Sequence, residues 1–405
     1  MKIIYLHQYF KFPTESGATR SFDIANGFVN LGYDVEIVTS TSELKYKTKD
    51  RWVKIDKNGL LVNYIYLPYS NEMSYLKRSL VFFKFIWFSI IKLLSIRADL
   101  VLATSTPLTI GIPALIKKWI HNTPYIFETR DIWPEVVIAI GAIKNLIFKK
   151  ILYFLEHLIY KHASAIVPLS VDMKKSIISR YPKLISKPIQ VIENISEVNR
   201  FKISHNIKRS ILKEKIGFKP RFTILYAGTF GKVNGIDYVI NFANLLIEYD
   251  PSIVLVLLGE GSQKKEVKDL AASKGVLNKN VFILDPVPKE DLPNLYFECD
   301  MGSSFVIPIK ELWANSANKF FDTLASGKPI LINYRGWQEG TIKKENIGYI
   351  LPIKLDEDDV IKFIEYSKNK LLIAKQQENA LNVAKQKYAT NVALKKYNRL
   401  IEDIS

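Results

Sequence analysis

The stretch NISEVNRFKISHNIKRS (194–210) interrupts a regular alternation of apolar strands and amphipathic helices, and FTILYAG (222–228) restarts it. Upstream, KIIYL (2–6), VEIVT (35–39), DLVLA (99–103), YIFE (125–128) and AIVPL (165–169) are short apolar, mostly β-branched runs. Runs of this kind suit strands buried on both faces of a parallel sheet. Helical period follows them. Gly17 to Leu31 reads as one helix, with Phe22, Ala25, Phe28 and Val29 apolar and Gly32 as its stop. Downstream, the alternation runs through IVLVLLG (253–259), VFIL (281–284) and PILIN (329–333). This predicts two successive doubly wound α/β domains, 1–195 and 221–384, joined by a linker at 196–220. The helical segment 385–405 is expected to pack back on the first domain. A ligand in such folds lies in the crevice at the carboxyl ends of the strands.

Composition narrows the chemistry. The 405 residues contain one cysteine, Cys299, which excludes a disulfide framework and a cysteine-built zinc site. The five histidines include no i, i+4 pair of the zincin type. The formal charge of +17 calls for a polyanionic partner: nucleic acid, an anionic membrane face or a phosphorylated substrate. From Met73 to Ala98 there are five bases and no acid, around the aromatic run LVFFKFIWFSIIKLLSI (80–96). A spanning helix needs about 20 mainly apolar residues, and Lys84 and Lys92 would both lie inside it, so spanning is disfavoured. An interfacial helix presenting Lys77, Arg78, Lys84, Trp87 and Lys92 to an anionic membrane is one reading. A core helix whose lysines snorkel outward is the other. A second basic, aromatic helix at 142–163, carrying Lys149 and Lys150, favours the membrane. MKIIYLHQYF turns polar after five residues and is expected to be a buried strand, not a signal peptide, which places the chain in the cytoplasm at the inner membrane face.

No G-x-G-x-x-G follows the first strand, which argues against a dinucleotide cofactor. Ser16-Gly17-Ala18 nevertheless sits where a loop enters a helix, and helix N-termini hold anions through backbone N–H groups. Glycine turns recur after later strands, in YAGTFGKVNG (226–235) and LLGEGS (257–262). In NKFFDTLASGKPIL (318–331), Asn318 to Ser326 reads as a helix with Gly327 as its C-cap. Asn318 and Lys319 fall in the first turn, where they can converge on a diphosphate. Asp322 lies at i+3 from Lys319 on the same face, placed to accept from ribose hydroxyls. The alternative is an i, i+3 surface ion pair worth a few tenths of a kcal/mol.

NKFFDTLASGKP resembles the nucleotide-sugar signature of retaining glycosyltransferase family 4, commonly N-K-x-F-E-x-x-A-x-G-x-P. The segments 15–40, 129–135 (TRDIWPE), 227–240, 257–267 and 281–300 fit the same family in the same order, covering nearly the whole chain. TRDIWPE and the turn at Gly336-Trp337 resemble the subgroup that builds bacterial O-antigen and capsule repeats, with N-acetylfucosamine-type transferases as the nearest likeness. The resemblance implies a GT-B architecture, two Rossmann-like domains facing across a cleft, and no metal. It implies a nucleotide-sugar donor, with UDP as the nucleotide, and a polyprenyl-diphosphate-linked saccharide as acceptor. By the same likeness, Gly17, Gly228, Thr229 and Lys232 would surround the donor diphosphate, and Lys319 with Asn318 would neutralise the leaving group. Asp322 would bind ribose, and Arg130 and Asp131 would face the acceptor and the transferred sugar, Asp131 acting with Lys319 in catalysis.

The chain also departs from that pattern. The first acid of the family's E-x7-E falls on Ala314, with Glu311 three residues earlier, and the second acid is Asp322. The loop's common Arg and Lys fall near Thr229 and Asn234, leaving Lys232 as the replacement cation. Asp356-Glu357-Asp358 spells the D-x-D of metal-dependent transferases, but it precedes an apolar helical run and reads as a helix cap. Asn194-Ile195-Ser196 matches a glycosylation acceptor without consequence in a cytoplasmic chain. Other classes are a GT-B-fold epimerase or phosphorylase, and a basic nucleic-acid-binding protein. No RRM, KH, helix-turn-helix or zinc pattern supports the last, so no nucleic-acid partner is expected.

Overall fold

The computed structural model describes residues 1–57, 59–68, 73, 75–202 and 211–404, the side chains of 75, 76, 78, 79, 211 and 213 excepted. Residues 203–210 of the expected linker and the Arg78 side chain lie outside that description.

The first sheet contains β1 (Lys2–Leu6), β2 (Asp34–Thr41), β3 (Trp52–Lys57), β4 (Leu60–Tyr66), β5 (Leu100–Thr104), β6 (Tyr125–Thr129) and β7 (Ala165–Pro168). Their order is β3-β4-β2-β1-β5-β6-β7, all parallel except the edge strand β3. The β3–β4 hairpin is absent from the sequence expectation. Its edge strand, WVKIDK, alternates with lysines and lacks an apolar run, and it leaves much of its surface to solvent. The second sheet contains β8 (Phe222–Ala227), β9 (Ile253–Leu258), β10 (Val281–Leu284), β11 (Met301–Ser304), β12 (Ile330–Ile332) and β13 (Gly348–Ile350), ordered β10-β9-β8-β11-β12-β13 and wholly parallel. These are two Rossmann-like doubly wound domains, as the alternation predicts.

Strand β11 reads MGSS, with none of the bulk expected of a central strand. The helix Asn318–Ala325 packs directly upon it, and a Cβ at Gly302 would lie 2.0 Å from Thr323 Oγ1. Small residues there let helix and sheet approach, so packing overrides β-propensity.

Strand order reverses between β1 and β5 and between β8 and β11. The loops after these strands therefore diverge and open a crevice in each domain. The helices of the first domain fall on two faces. α1 (Arg20–Asn30) shares one face with the terminal helix Thr390–Ile404; α2 (Tyr75–Ser95), α3 (Gly111–His121) and, beyond α4 (Glu135–Ala139), α5 (Leu146–His162) cover the other. The terminal helix approaches α1 so closely that a Cβ on Gly27 would lie 2.4 Å from Leu394. Beneath it, Glu128 pairs with fully buried Arg20 at 3.0 Å and accepts from Tyr397 and Thr104, while Arg20 also reaches Glu193 O at 2.6 Å. These bonds satisfy a charge pair that would otherwise be costly to bury.

The chain crosses between domains twice, near Asn194–Lys202 and near Tyr388. The crossings bond to each other: Ser196 N–H donates to Tyr388 O at 2.7 Å, and Ser196 bridges Ala389. Asp356 accepts from Asp359 N–H at 2.9 Å and Asp359 accepts from Asp356 N–H at 3.2 Å, a capping box at the letters resembling D-x-D. Among the described residues no helix is long and apolar enough to cross a membrane.

Candidate active site

Two adjoining cavities, each of about 470 Å³, lie between the domains. They share Ser16, Gly17 and Ala18 from the loop after β1 and Ala317, Asn318 and Lys319 at the start of the Asn318–Ala325 helix. The first continues past Gly228, Thr229, Gly259, Val287 and Asp322; the second past His7, Arg130, Asp131, Asn194, Asn234 and Ser304.

Lys319 stands at their junction. Its amine is 3.4 Å from Asn234 Oδ1 and 4.8 Å above the Tyr226 ring. A Cβ on Gly228 would come within 3.3 Å of it, so glycine there leaves the amine its space. Burial pushes the Lys319 ammonium down to about 8, against the opposing pull of Asp322. This is a desolvated cation at the N-terminus of its helix, an arrangement suited to an anion. Asn318 accepts from Asn194 Nδ2, which also donates to Ser316 O at 3.2 Å. The asparagine of the glycosylation-like triplet thus stitches the first crossing to the first turn of the helix.

Asp322 faces the first cavity, and its carboxylate forms a buried ion pair with Lys289, a residue the sequence reading passed over. Lys289 lies within 281–300, which resembles the family, but one lysine in a proline-flanked loop carries no signal of its own. The pair adjoins Asp23, which Arg200 binds at 2.6 Å. Glu197, beside them, has one carboxylate oxygen without a partner and is pushed up to about 7 by burial and then by Asp23.

In the second cavity Arg130 and Asp131 are half-buried. Burial raises the Asp131 carboxyl while Arg130 opposes the rise. The Arg130 guanidinium lies 3.4 Å from His7 Nε2, and Ser21 Oγ lies 2.9 Å from His7 Nδ1. Burial, with Arg130 beside it, pushes His7 down to about 3, so its ring is neutral and accepts from Arg130.

Two expected site residues, Lys232 and Lys92, fall elsewhere, and among the described residues no acid takes the place of the family's first one in either cavity. Lys232 is exposed and lines neither cavity, because the 3-10 turn Lys232–Asn234 directs Val233 and Asn234 inward. Glu311 lines neither cavity, and its charge is felt by Glu135 on α4. Ala314 packs with Ile132, Leu169 and Met173 and accepts from Ser170 Oγ at 2.7 Å, so an apolar contact occupies the place of the family's first acid. Lys92 is half-buried, 5.6 Å over the Trp52 ring and turned toward β3.

The remaining basic helix residues lie on an open face. Leu80, Phe83 (68% exposed), Trp87 (63%) and Ile91 form a stripe on α2, flanked by exposed Lys77 and Lys84. Ile147, Ile151 and Phe154 (66%) form another on α5, beside exposed Lys150 and half-buried Lys149. The two helices flank α3 in one layer. Large apolar side chains in such number on a surface mark an interaction site, not a core.

Residues 17–194 match the model of the Glycosyl transferase 4-like domain, and residues 208–386 match that of Glycosyl transferases group 1. Spore coat protein SA of Bacillus subtilis is 24% identical over 195 residues, 46% of this chain and 50% of that protein. The chain spans about half the length of the curated relatives it matches. Its fold is that of sucrose-phosphate synthase from Thermosynechococcus elongatus, with a TM-score of 0.76 at 11% identity, covering 100% of this chain and 98% of the other. It is likewise that of HepE of Anabaena, solved in complex with UDP-glucose, with a TM-score of 0.71 at 16% identity and 100% of both chains covered.

Proposed function

The chain carries in succession the two domains of a GT-B glycosyltransferase, and from that premise we propose that it is a retaining transferase using a UDP-sugar. The donor sugar is an N-acetylated amino-deoxysugar. The acceptor is a saccharide on a polyprenyl diphosphate, in the assembly of O-antigen or capsule at the inner membrane face.

One observation carries the donor site: the buried Lys319 amine and the first turn of its helix face a cavity that Asp322 lines one turn further on. The nucleotide occupies the first cavity, its ribose at Asp322. Its diphosphate lies against Lys319, Asn318, Gly228, Thr229 and the Gly17 loop. As the sugar–phosphate bond breaks, negative charge grows on the departing diphosphate, where Lys319 and the helix N-terminus stabilise it without reorganisation. The sugar lies in the second cavity beside Arg130 and Asp131, and the acceptor hydroxyl attacks on the face the diphosphate leaves. That a solved relative in fold binds UDP-glucose supports UDP as the donor nucleotide.

The α2 and α5 stripes support the membrane part: apolar and aromatic side chains would enter the headgroup boundary while Lys77, Lys84 and Lys150 meet anionic lipid. The test of the donor site is calorimetric titration with UDP, GDP and ADP, repeated on Lys319→Ala. Micromolar binding of UDP, lost in the variant, is expected; no binding of any of the three sinks the proposal.

A further inference from the structure

Lys289 touches both sides of the donor cavity. Its side chain pairs with Asp322, both groups more than nine-tenths buried. Its backbone N–H donates to Glu15 O at 3.1 Å, and the next N–H, of Glu290, donates to Pro13 O at 3.2 Å. The accepting loop is itself fixed: Glu15 accepts from Phe12 N–H at 2.7 Å and from Lys11 Nζ at 2.9 Å. This loop runs directly into Ser16-Gly17-Ala18, which wall both cavities. Lys289 therefore joins the acid on the second-domain helix to the glycine loop of the first domain.

The environment explains why a lysine is needed. Asp322 lies among buried Asp23 and Glu197, and Arg200 is already committed to Asp23 at 2.6 Å. Without Lys289, Asp322 would be a buried carboxylate near two other acids with no cation in ion-pair contact, Lys319 and Arg200 acting on it only from a distance. Such a carboxylate turns toward whatever other donors it can reach and is no longer held facing the cavity.

We propose that Lys289 is a positioning residue, which holds the Asp322 carboxylate oriented toward the ribose diol and makes that orientation depend on docking of the two domains through residues 13–15. The inference rests on the donor site proposed above. It adds that recognition of the ribose is assembled by domain closure and not built into the second domain alone.

The test compares UDP with 2′,3′-dideoxy-UDP, because general losses of charge or packing weaken both ligands alike and leave their ratio unmoved. The wild type is expected to prefer UDP by about tenfold or more, the worth of hydrogen bonds to a charged group. Lys289→Met brings the ratio close to one; Lys289→Arg, which keeps the charge, restores most of it. In Asp322→Ala the ratio is already near one and adding Lys289→Met changes it no further. UDP is also expected to slow amide exchange at Lys289 and Glu290 more than the dideoxy analogue does. Lys289→Gln replaces the Met variant if the latter folds poorly. An unchanged ratio in both neutral variants, or equal exchange with both ligands, overturns the role of Lys289 alone. Absence of UDP, GDP and ADP binding to the wild type overturns the donor site and this inference together.

Discussion

Lys319 Nζ lies 3.4 Å from Asn234 Oδ1, so a helix supplies a cation beside the loop position where the resembling family carries one. The loop itself has Thr229 and Asn234 there, and its own Lys232 turns out to solvent. The loop cation is missing, and the lysine that the helix signature itself carries is the cation that remains at the cavity junction.

Removing that cation tests its use directly. Lys319→Ala should lower kcat at least about 100-fold, since one stabilising contact to developing charge contributes roughly 3–4 kcal/mol. The melting curve should hardly move, because among the described residues the amine has one long hydrogen bond and a 4.8 Å approach to the Tyr226 ring. Near-normal turnover would remove Lys319 from the mechanism.

The same amine predicts a pH dependence. It ionises at about 8 in the free protein, so the charge that binds diphosphate is present below that pH and lost above it. Affinity for UDP should be level in mildly acidic solution and weaken by up to about tenfold per pH unit above 8, with proton uptake on binding. Titrations in two buffers of different ionisation enthalpy measure both, and an affinity flat through this range would contradict the assignment.

Gly302→Ala should push the Asn318–Ala325 helix off its sheet. The new methyl would meet Thr323 Oγ1 at 2.0 Å, and overpacking of this kind costs about 1–3 kcal/mol. Denaturant unfolding reads the stability, and UDP affinity should fall with it, because the displaced helix carries Lys319 and Asp322.

Glu128 anchors the terminal helix. Desolvation pushes its carboxyl up, but Arg20 and Arg130 outweigh it and hold the group down at about 2. A depressed carboxyl contributes stability that is full above its unfolded value near 4.5 and is lost as pH falls toward 2. Glu128→Ala, which strands Arg20 in the interior, should cost about 3–5 kcal/mol at neutral pH. Urea melts at pH 7 and at about pH 3 would show a smaller gap between variant and wild type in acid; an equal gap would argue against the pair.

Flotation with vesicles tests the exposed stripes. Phe83→Glu with Phe154→Glu should abolish binding to anionic vesicles without changing UDP affinity, because neither side chain approaches the cavities. Equal partitioning of the wild type onto neutral and anionic vesicles would sink the electrostatic part.

The sequence made legible what depends on period and punctuation. β-branched runs mark nine of the strands, and the spacing in NKFFD puts a cation and an acid on one helical face. Legibility failed where tertiary contact overrules local preference. MGSS becomes a central strand because a helix needs room above it, and WVKIDK becomes an edge strand because its lysines can face solvent. Lys289 acquires meaning only from Asp322, 33 residues away. Lys232 and Lys92 could not be oriented from spacing, since each sits where a turn or a neighbouring strand fixes the direction of one side chain.

The two interdomain crossings, bonded through Ser196 and Tyr388, lie side by side like the paired leaves of a hinge. A single tether would let the halves twist and slide; two tethers fastened side by side leave swinging about their common axis as the easy motion. Were the cleft to open, its walls would part and meet along one repeatable arc. Lys319 and Arg130, borne on opposite halves, would then come back to the same register after each opening.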